Sequence, residues 1–444
     1  VAITAAMFAS PALAQQAQQT TVDEIIVTGI RASLERSIEI KRTNSGVVDA
    51  ISAEDMGKFP DTNLAESLQR ITGVSIDRTN GEGSQVTVRG FGGGFNLVTL
   101  NGRTMPTANV ATVGGDQSSD TAGGTSRSFD FSNLASEGVT TLEVYKTGRA
   151  SVPSGGIGAA INVKTRRPLE GKPGLTGSLG VKAVYDQSMD KKVDDGGSKI
   201  TPEFSGLLNW ADDSDTFGVA LFGSYQKRDF TSRSVTSNDW NIRTYSDFIN
   251  PANGFVRNGG ATQITNAPSS GSTLVAIPND SRYHFAQGER ERINGQLTAQ
   301  YRPTENLTIT ADALYAVNKS FERRNDSTNW FNRPFDKVTF DNNPVVATAV
   351  LLQEQLSGTK DMGFEQQYRS NEDTLKSYGL SAEWDLSDRL RVKLDGHISK
   401  ADSGPHSSNG TSSTTVSIGA PIVSSHSVDY SGKVPVQSIT INDA

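Results

Sequence analysis

Residues equipped for catalysis are scarce in this chain, and none is spaced for it. Cysteine is absent, which removes a thiol nucleophile, Cys-based zinc sites and any disulfide framework. The four histidines, His284, His397, His406 and His426, show no close metal-ligand spacing. No G-x-S-x-G, H-E-x-x-H or EF-hand pattern occurs. The run Gly90-Phe91-Gly92-Gly93-Gly94-Phe95 permits a tight exposed turn but lacks the Gly-Lys-Ser/Thr or strand–turn–helix context of a phosphate cradle. Gly155-Gly156-Ile157-Gly158 leads into a strand instead of a helix. Acid pairs such as Asp194/Asp195 and Asp212/Asp213 sit in turns, where hydration explains them. No catalytic residue, metal or cofactor is therefore assigned, and recognition is the chemistry that remains. Asp23-Glu24-Ile25-Ile26-Val27-Thr28-Gly29 is a β-branched island in a polar tail. Such a segment can add to the sheet edge of another protein, and it reads equally well as the first strand of the domain behind it. Arg89 and Arg103 sit beside glycines and invite a functional reading as direct ligand contacts. Trp240, Tyr245, Phe248, Trp330, Phe331 and Phe335 lie among Asn, Asp and Arg. That mixture suits stacking on sugars and hydrogen bonding to their hydroxyls. For any single ring, packing of the loops is the simpler account.

Two kinds of element must position these residues. Between 46 and 168 the pattern is a small α+β domain. Asn63 is a helix N-cap, with Glu66 three residues on to complete a capping box. Leu64, Leu68 and Ile71 share a helical face, and Gly73 stops it. Strands follow at Val74–Ile76, Gln85–Gly90 and Asn96–Leu100, the last turning at Asn101-Gly102 before Arg103. Val139–Tyr145 and Ala160–Lys164 complete the set. Val110–Arg127 is a polar insertion, readable as an apical ligand contact or as a solvated loop.

From Leu175 the pattern changes to long apolar/polar alternation. Ile293, Leu297, Ala299 and Tyr301 oppose Asn294, Gln296, Thr298, Gln300 and Arg302. Leu390, Val392, Leu394 and Ile398 oppose Arg391, Lys393, Asp395 and His397. Apolar residues toward lipid and polar ones toward a lumen are what a transmembrane barrel requires. A soluble sandwich with one wet face is the competing account. Strand length, and short turns alternating with long polar loops at Phe230–Glu291 and Phe321–Asp373, favour the barrel. Ala401–Gly432, rich in serine, reads as a further external loop.

Composition fits this. At ~150 residues per domain, 444 residues imply two to three domains. Forty-nine acids against 42 bases, a net charge of −7, exclude general nucleic-acid binding. No run of ~20 apolar residues supplies a transmembrane helix. Residues 1–14 end in Ala12-Leu13-Ala14 and read as the remnant of a signal peptide.

Five segments in order, DEIIVTG, KFPDTNLAESLQRITGVSI, VTVRGFGGGFNLVTLNGRTMP, LEVYKTG and PSGGIGAAINVKTRRP, resemble the TonB-dependent outer-membrane receptors of proteobacteria. The wording is similar to a branch associated with carbohydrate uptake. The resemblance implies a signal remnant (1–14), a periplasmic tail with a TonB box at Asp23, Glu24, Ile25, Ile26, Val27, Thr28 and Gly29 (15–45), a plug (46–168) and the N-terminal portion of a β-barrel (169–444). It places Arg89, Gly90, Asn101, Gly102 and Arg103 in the plug body, where structural ion pairs to the barrel wall are the family's pattern. It implies an outer-membrane location, TonB with ExbB and ExbD as partners, and energy-coupled uptake of a small extracellular ligand. Trp240, Tyr245, Trp330 and Phe331 are the candidate ligand contacts. A carbohydrate is the first expectation for that ligand, and a ferric siderophore or other metal chelate the alternative. A secreted carbohydrate-binding or hydrolytic β-protein is the reading from another class. A signalling receptor would carry an extra periplasmic domain before residue 23. About seven barrel strands can be read, against 22 in transporters of this kind, so the chain is expected to hold an incomplete barrel that does not close.

Overall fold

Asn63 starts the short helix of the inner domain. In the computed structural model, which describes residues 3–5, 35–52, 63–107, 127–189, 197–237 and 239–442, its side-chain oxygen accepts from the backbone N–H of Ala65 and Glu66 at 3.0 and 3.3 Å. This caps helix α1 (Leu64–Leu68). The Asn63 amide also donates to Glu82 Oε1 (3.1 Å) and to the Gly83 carbonyl (2.6 Å), tying α1 to the hairpin formed by β2 (Val74–Thr79) and β3 (Glu82–Val88). The expected capping box does not close. Glu66 instead accepts from Gly83 N–H (3.1 Å) and pairs with Arg78 (2.7 Å), because the hairpin brings both donors to it. Replacing Asn63 by alanine removes the cap and the tie together. The expected loss is about 1–2 kcal/mol, seen as a lower urea midpoint at unchanged slope.

Leu64, Leu68 and Ile71 are buried against Val86, Val88, Leu142, Val144, Ile161 and Val163. The last four come from a five-stranded sheet in the order β1 (Val48–Ser52), β6 (Val139–Tyr145), β7 (Ala159–Thr165), β4 (Asn96–Leu100), β5 (Arg103–Thr104). Asn101 and Gly102 both have positive φ, 53° and 87°. That is the type I′ geometry that turns β4 into β5, and it delivers Arg103 to one edge of the sheet. Residues 35–43 are helical, and the Lys41–Asp49 pair (2.7 Å) ties them to β1.

A meander of long antiparallel strands wraps this domain: β8 (Gly174–Tyr185), β9 (Ile200–Ala211), β10 (Phe217–Thr236), β11 (Asp280–Thr304), β12 (Leu307–Trp330), β13 (Val346–Ser387), β14 (Leu390–Pro405), β15 (Ser413–Asp429) and β16 (Val436–Ile441). β13 pairs with β14 over Asn371–Ser387 and with β15 over Leu351–Arg369. β14 and β15 are therefore one wall strand interrupted by residues 406–412. Among the described residues β8 and β16 do not pair, so the wall is open, and Ile3–Ala5 lie antiparallel to Val181–Ala183 on β8.

Alternation divides the faces as period-2 geometry demands. Leu175, Leu179, Leu221, Leu297, Leu380 and Ile398 are exposed on the outside, Leu179 to 79%. Asn294, Gln296, Thr298, Gln300, Thr310 and Asp312 are buried on the inside. Trp210, Phe217, Tyr301 and Trp384 end the outer apolar band at the short-turn side, as an aromatic girdle does. No helix among the described residues is long and apolar enough to cross a membrane.

The structure corrects the loop boundaries. Much of Phe230–Glu291 and Phe321–Asp373 is strand, since β10, β11, β12 and β13 continue well past the apolar band. The Ser-rich segment 401–432 is mainly strand as well. Once the register is set within the band, each added residue gains ladder hydrogen bonds whatever its polarity. The remaining loop residues fold onto one another around Phe248, Ile277, Phe335, Phe340 and Leu352.

Candidate functional site

The inward side chains of the wall meet the plug through charge pairs of both polarities. Arg103, carried by the β4–β5 turn, is buried. Its Nη1 donates to both carboxylate oxygens of Asp312 on β12, each at 2.7 Å, and its Nε to Asp395 on β14 at 2.8 and 3.1 Å. The guanidinium spans β13 between those strands, and it can do so only because Gly379 lies beneath it. A Cβ at Gly379 would stand 1.7 Å from Arg103 Nη1.

The second cluster reverses the signs. Glu82 on β3 receives Arg228 Nη1 at 3.1 Å and Arg290 Nη2 at 2.8 Å, and Arg290 Nη1 also contacts it closely. Arg292, fully buried beside them, donates to the Ser132 carbonyl at 2.8 Å. Burial alone would raise the Glu82 pKa, but Arg290, Arg292 and Arg228 outweigh it and hold the carboxyl down at about 2. A third pair joins Glu137 of the plug to Lys182 on β8. Burial again opposes, and Lys182 prevails to lower the Glu137 pKa. Neutral contacts complete the seam. Asn294 accepts from Ala135 N–H (3.1 Å) and donates to the Asn133 carbonyl (3.2 Å), and Gln300 accepts from Leu169 N–H (3.0 Å).

This seam is built from groups that water can rehydrate. Taking a paired charge out of such a contact exposes it to solvent, whereas separating an apolar face would cost ~25 cal/mol per Å². Among the described residues, few apolar wall residues join the plug core: Leu314, Ala316 and Leu375 are buried in it, and Ala401 packs partly buried against it.

Of the residues singled out from sequence, Arg103 meets the wall, while Asn101 and Gly102 form the turn that carries it and bond within the plug, to Thr165 and Asn162. Arg89, with a positive φ of 54°, stays within the plug and donates to the Gly158 carbonyl at 2.6 Å. Gly90 continues the same turn at φ 82°. Residues 23–29 and the insertion up to residue 126 lie outside the described residues. The loop aromatics do not form one surface. Tyr245 stacks on Phe248 (6.4 Å) and meets Phe340 edge-on (6.3 Å), and Phe331 lies between Phe335 (5.5 Å) and His426 (4.7 Å). Trp240 and Trp330 stay 40% and 39% exposed, one paired opposite Pro278 and the other opposite Asp280. Glu82, Glu137, Lys182, Arg228, Arg290, Arg292 and Asp312 were not singled out. The available signal was a charge on the lumen-facing parity of a wall strand, as at Arg290 and Arg292.

Residues 40–160 match the family described as the TonB-dependent Receptor Plug Domain. Among curated proteins, the ferric enterobactin receptor PirA of Pseudomonas aeruginosa is 23% identical over 350 residues, covering 76% of this chain and 43% of that receptor. The chain thus spans less than half the length of this relative. Solved structures with similarity include a variant of the ferric enterobactin receptor PfeA of Pseudomonas aeruginosa with enterobactin bound (14% identity, TM-score 0.42, 89% of this chain and 60% of that one). Another is the alcaligin receptor FauA of Bordetella pertussis (12% identity, TM-score 0.31, 88% and 61%). Residues 40–160 are thus a plug domain of the TonB-dependent receptor type, seated against a wall of antiparallel strands.

Proposed function

We propose that this receptor works in the outer membrane of a Gram-negative bacterium. It would take up a ferric siderophore or similar metal chelate by energy-coupled release of its plug. The observation that carries the reading is the seam itself: a plug fixed in place by buried but rehydratable charge pairs is a gate that can be drawn. TonB, energised with ExbB and ExbD, would pair with residues 23–29 by strand addition and pull. The chelate class is supported by the relative PirA, a ferric enterobactin receptor. A carbohydrate ligand has less support, because Tyr245 and Phe331 are spent on loop packing. Trp240 and Trp330 keep that second reading open, since two half-exposed indoles at one end of the wall can stack on sugar rings. No catalytic step is assigned.

Deleting residues 23–29 is expected to abolish energy-dependent accumulation of radiolabelled ferric enterobactin while leaving binding to whole cells unchanged. Uptake at the wild-type rate in the deletion strain would remove the coupling mechanism. Competition by an oligosaccharide, but not by ferric enterobactin, would transfer the ligand assignment to the sugar.

A further inference from the structure

Two connections at the long-loop end of the wall are folded into one body. The chain between β10 and β11 supplies the strands Trp240–Thr244, Gln263–Thr265 and Leu274–Pro278, and the chain between β12 and β13 supplies Lys337–Phe340. The two interleave. Gln263–Thr265 runs parallel to Lys337–Thr339, and Leu274–Ala276 runs parallel to Val346–Thr348 at the start of β13. Phe248, Val275 and Ile277 of the first connection share a buried core with Phe335, Val338 and Phe340 of the second. Shared ladders and a shared, close-packed core leave neither connection free to move without the other. The lobe they form stands beyond the apolar band, since β12 carries Val317 at the edge of that band and runs on to Trp330 before the second connection begins.

A buried charged cluster fastens this lobe to the wall. Glu354 and Lys360 of β13 and His426 of β15 are all buried. Lys360 pairs closely with Glu354 and donates to the Trp330 carbonyl at 2.7 Å. Glu354 also accepts from the Arg333 N–H at 2.9 Å, and Phe331 stacks on the His426 ring at 4.7 Å. The Gln437 amide on β16 donates to Nε2 of the ring at 3.0 Å. The ring proton then belongs on Nδ1, 3.4 Å from Glu354 Oε2 and 3.4 Å from Lys360 Nζ. Between Gln355↔Ser425 and Lys360↔Val423, β13 spends more residues than β15. This bulge is what folds Lys360 back onto Glu354.

The neutral ring fits this cluster and the charged ring does not. A second proton would go to Nε2, where it meets the Gln437 donor. The resulting cation would stand beside the Lys360 ammonium, with Glu354 as the one carboxylate facing both among the described residues. Arg333, the further charge acting on Lys360, is also positive. Burial, the largest influence, and Lys360 hold the His426 pKa below the ordinary 6.5 against the pull of Glu354. A histidine held neutral stabilises the closed form above its ordinary pKa, and that contribution is lost as pH falls below it.

We propose that the Glu354–Lys360–His426 cluster is an acid-sensitive latch, and that protonation of His426 frees residues 240–278 and 331–352 from the wall as one lobe. Trp240 rides on the edge strand of that lobe, so the latch also governs how this exposed ring is presented. The inference requires neither the ligand nor the coupling step proposed above.

The test is hydrogen exchange read by mass spectrometry, on the full chain in outer-membrane preparations, from about pH 7 to about pH 5. Rates are corrected for the intrinsic pH dependence of exchange. Peptides from both connections should lose protection together, by up to about tenfold for each pH unit below 6.5, the limit for uptake of one proton on release. His426→Gln, which cannot take the proton, should show no such loss. Gln437→Glu supplies a carboxylate for the Nε2 proton and should reverse the sign, so that acid tightens the lobe. His284→Gln removes the ring hydrogen-bonded to Thr236 at the end of β10 and should respond as wild type. A wild type whose protection does not change with pH, a response that survives in His426→Gln or vanishes in His284→Gln, or loss of protection in one connection alone would each overturn the proposal. If His426→Gln is not recovered folded, Gln437→Glu decides, and an acid response of unchanged sign overturns it.

Discussion

Glu82→Gln loosens the plug by about 3 kcal/mol, the scale expected when one member of a buried ion pair is removed and its partners stay behind. Arg228 and Arg290 point at this carboxylate and Arg292 lies beside it. A glutamine oxygen can accept one of those hydrogen bonds but neutralises none of the charge. The same site sets an acid limit. Its pKa in the folded receptor, about 2, lies below the ordinary 4.5 of a glutamate. A depressed carboxyl stabilises the fold above its unfolded pKa, and that contribution is lost as pH falls through the folded one. The loss therefore develops between pH 4.5 and about 2, and it amounts to about 3 kcal/mol. Limited proteolysis of the plug in outer-membrane preparations, run as a pH series, should show wild type opening across this window. The Gln variant should be loose at neutral pH and change less with acid. Equal protease sensitivity of the two proteins at pH 7 would remove Glu82 from the seam.

Gly379→Val should have a comparable or larger effect from the wall side. The new side chain occupies the space of the Arg103 guanidinium, so either the arginine leaves or the strand moves. In the first case Asp312 and Asp395 lose their cation, and in the second β13 shifts against β12 and β14 and the pairs are pulled apart. Overpacking costs about 1–3 kcal/mol and a broken buried pair about 3–5 kcal/mol, so a loss near 4 kcal/mol is expected. Gly396→Val is the matched control, because a Cβ there meets nothing within 4 Å. A double-mutant cycle makes the claim specific. With Arg103→Ala already present, Gly379→Val should add little, since the group it displaces is gone. Full additivity in urea denaturation would show that the glycine serves the strand and not the arginine.

How much of this was legible beforehand follows from how local each feature is. The Asn63 cap, the Asn101-Gly102 turn and the alternation of β11 and β14 depend on residues a few positions apart, and their patterns are visible in the chain. Even so, Glu66 took partners from the hairpin that sequence spacing alone could not supply. The Arg103 site is of another kind. Asp312 and Asp395 lie 209 and 292 residues away, and only the wall register brings them to one spot. Glu82 follows Asn80-Gly81 and reads as an ordinary turn acid until the arginines of β10 and β11 close over it. The serines after Ala401 look like loop because they are polar. They form strand because β13 offers them a ladder.

The order of the plug sheet carries a mechanical consequence. The chain enters it from the tail through β1, at one edge, while the Arg103 anchor sits on β5 at the other. Tension applied upstream of Val48 therefore reaches the anchor only by crossing β6, β7 and β4 in series. The first junction on that path is the five-residue pairing of β1 with β6, Val48↔Tyr145 through Ser52↔Thr141. A load path of this form yields at its entry before it strains its mooring. The edge strand would unravel and lengthen the tether while the far side of the plug is still held to the wall.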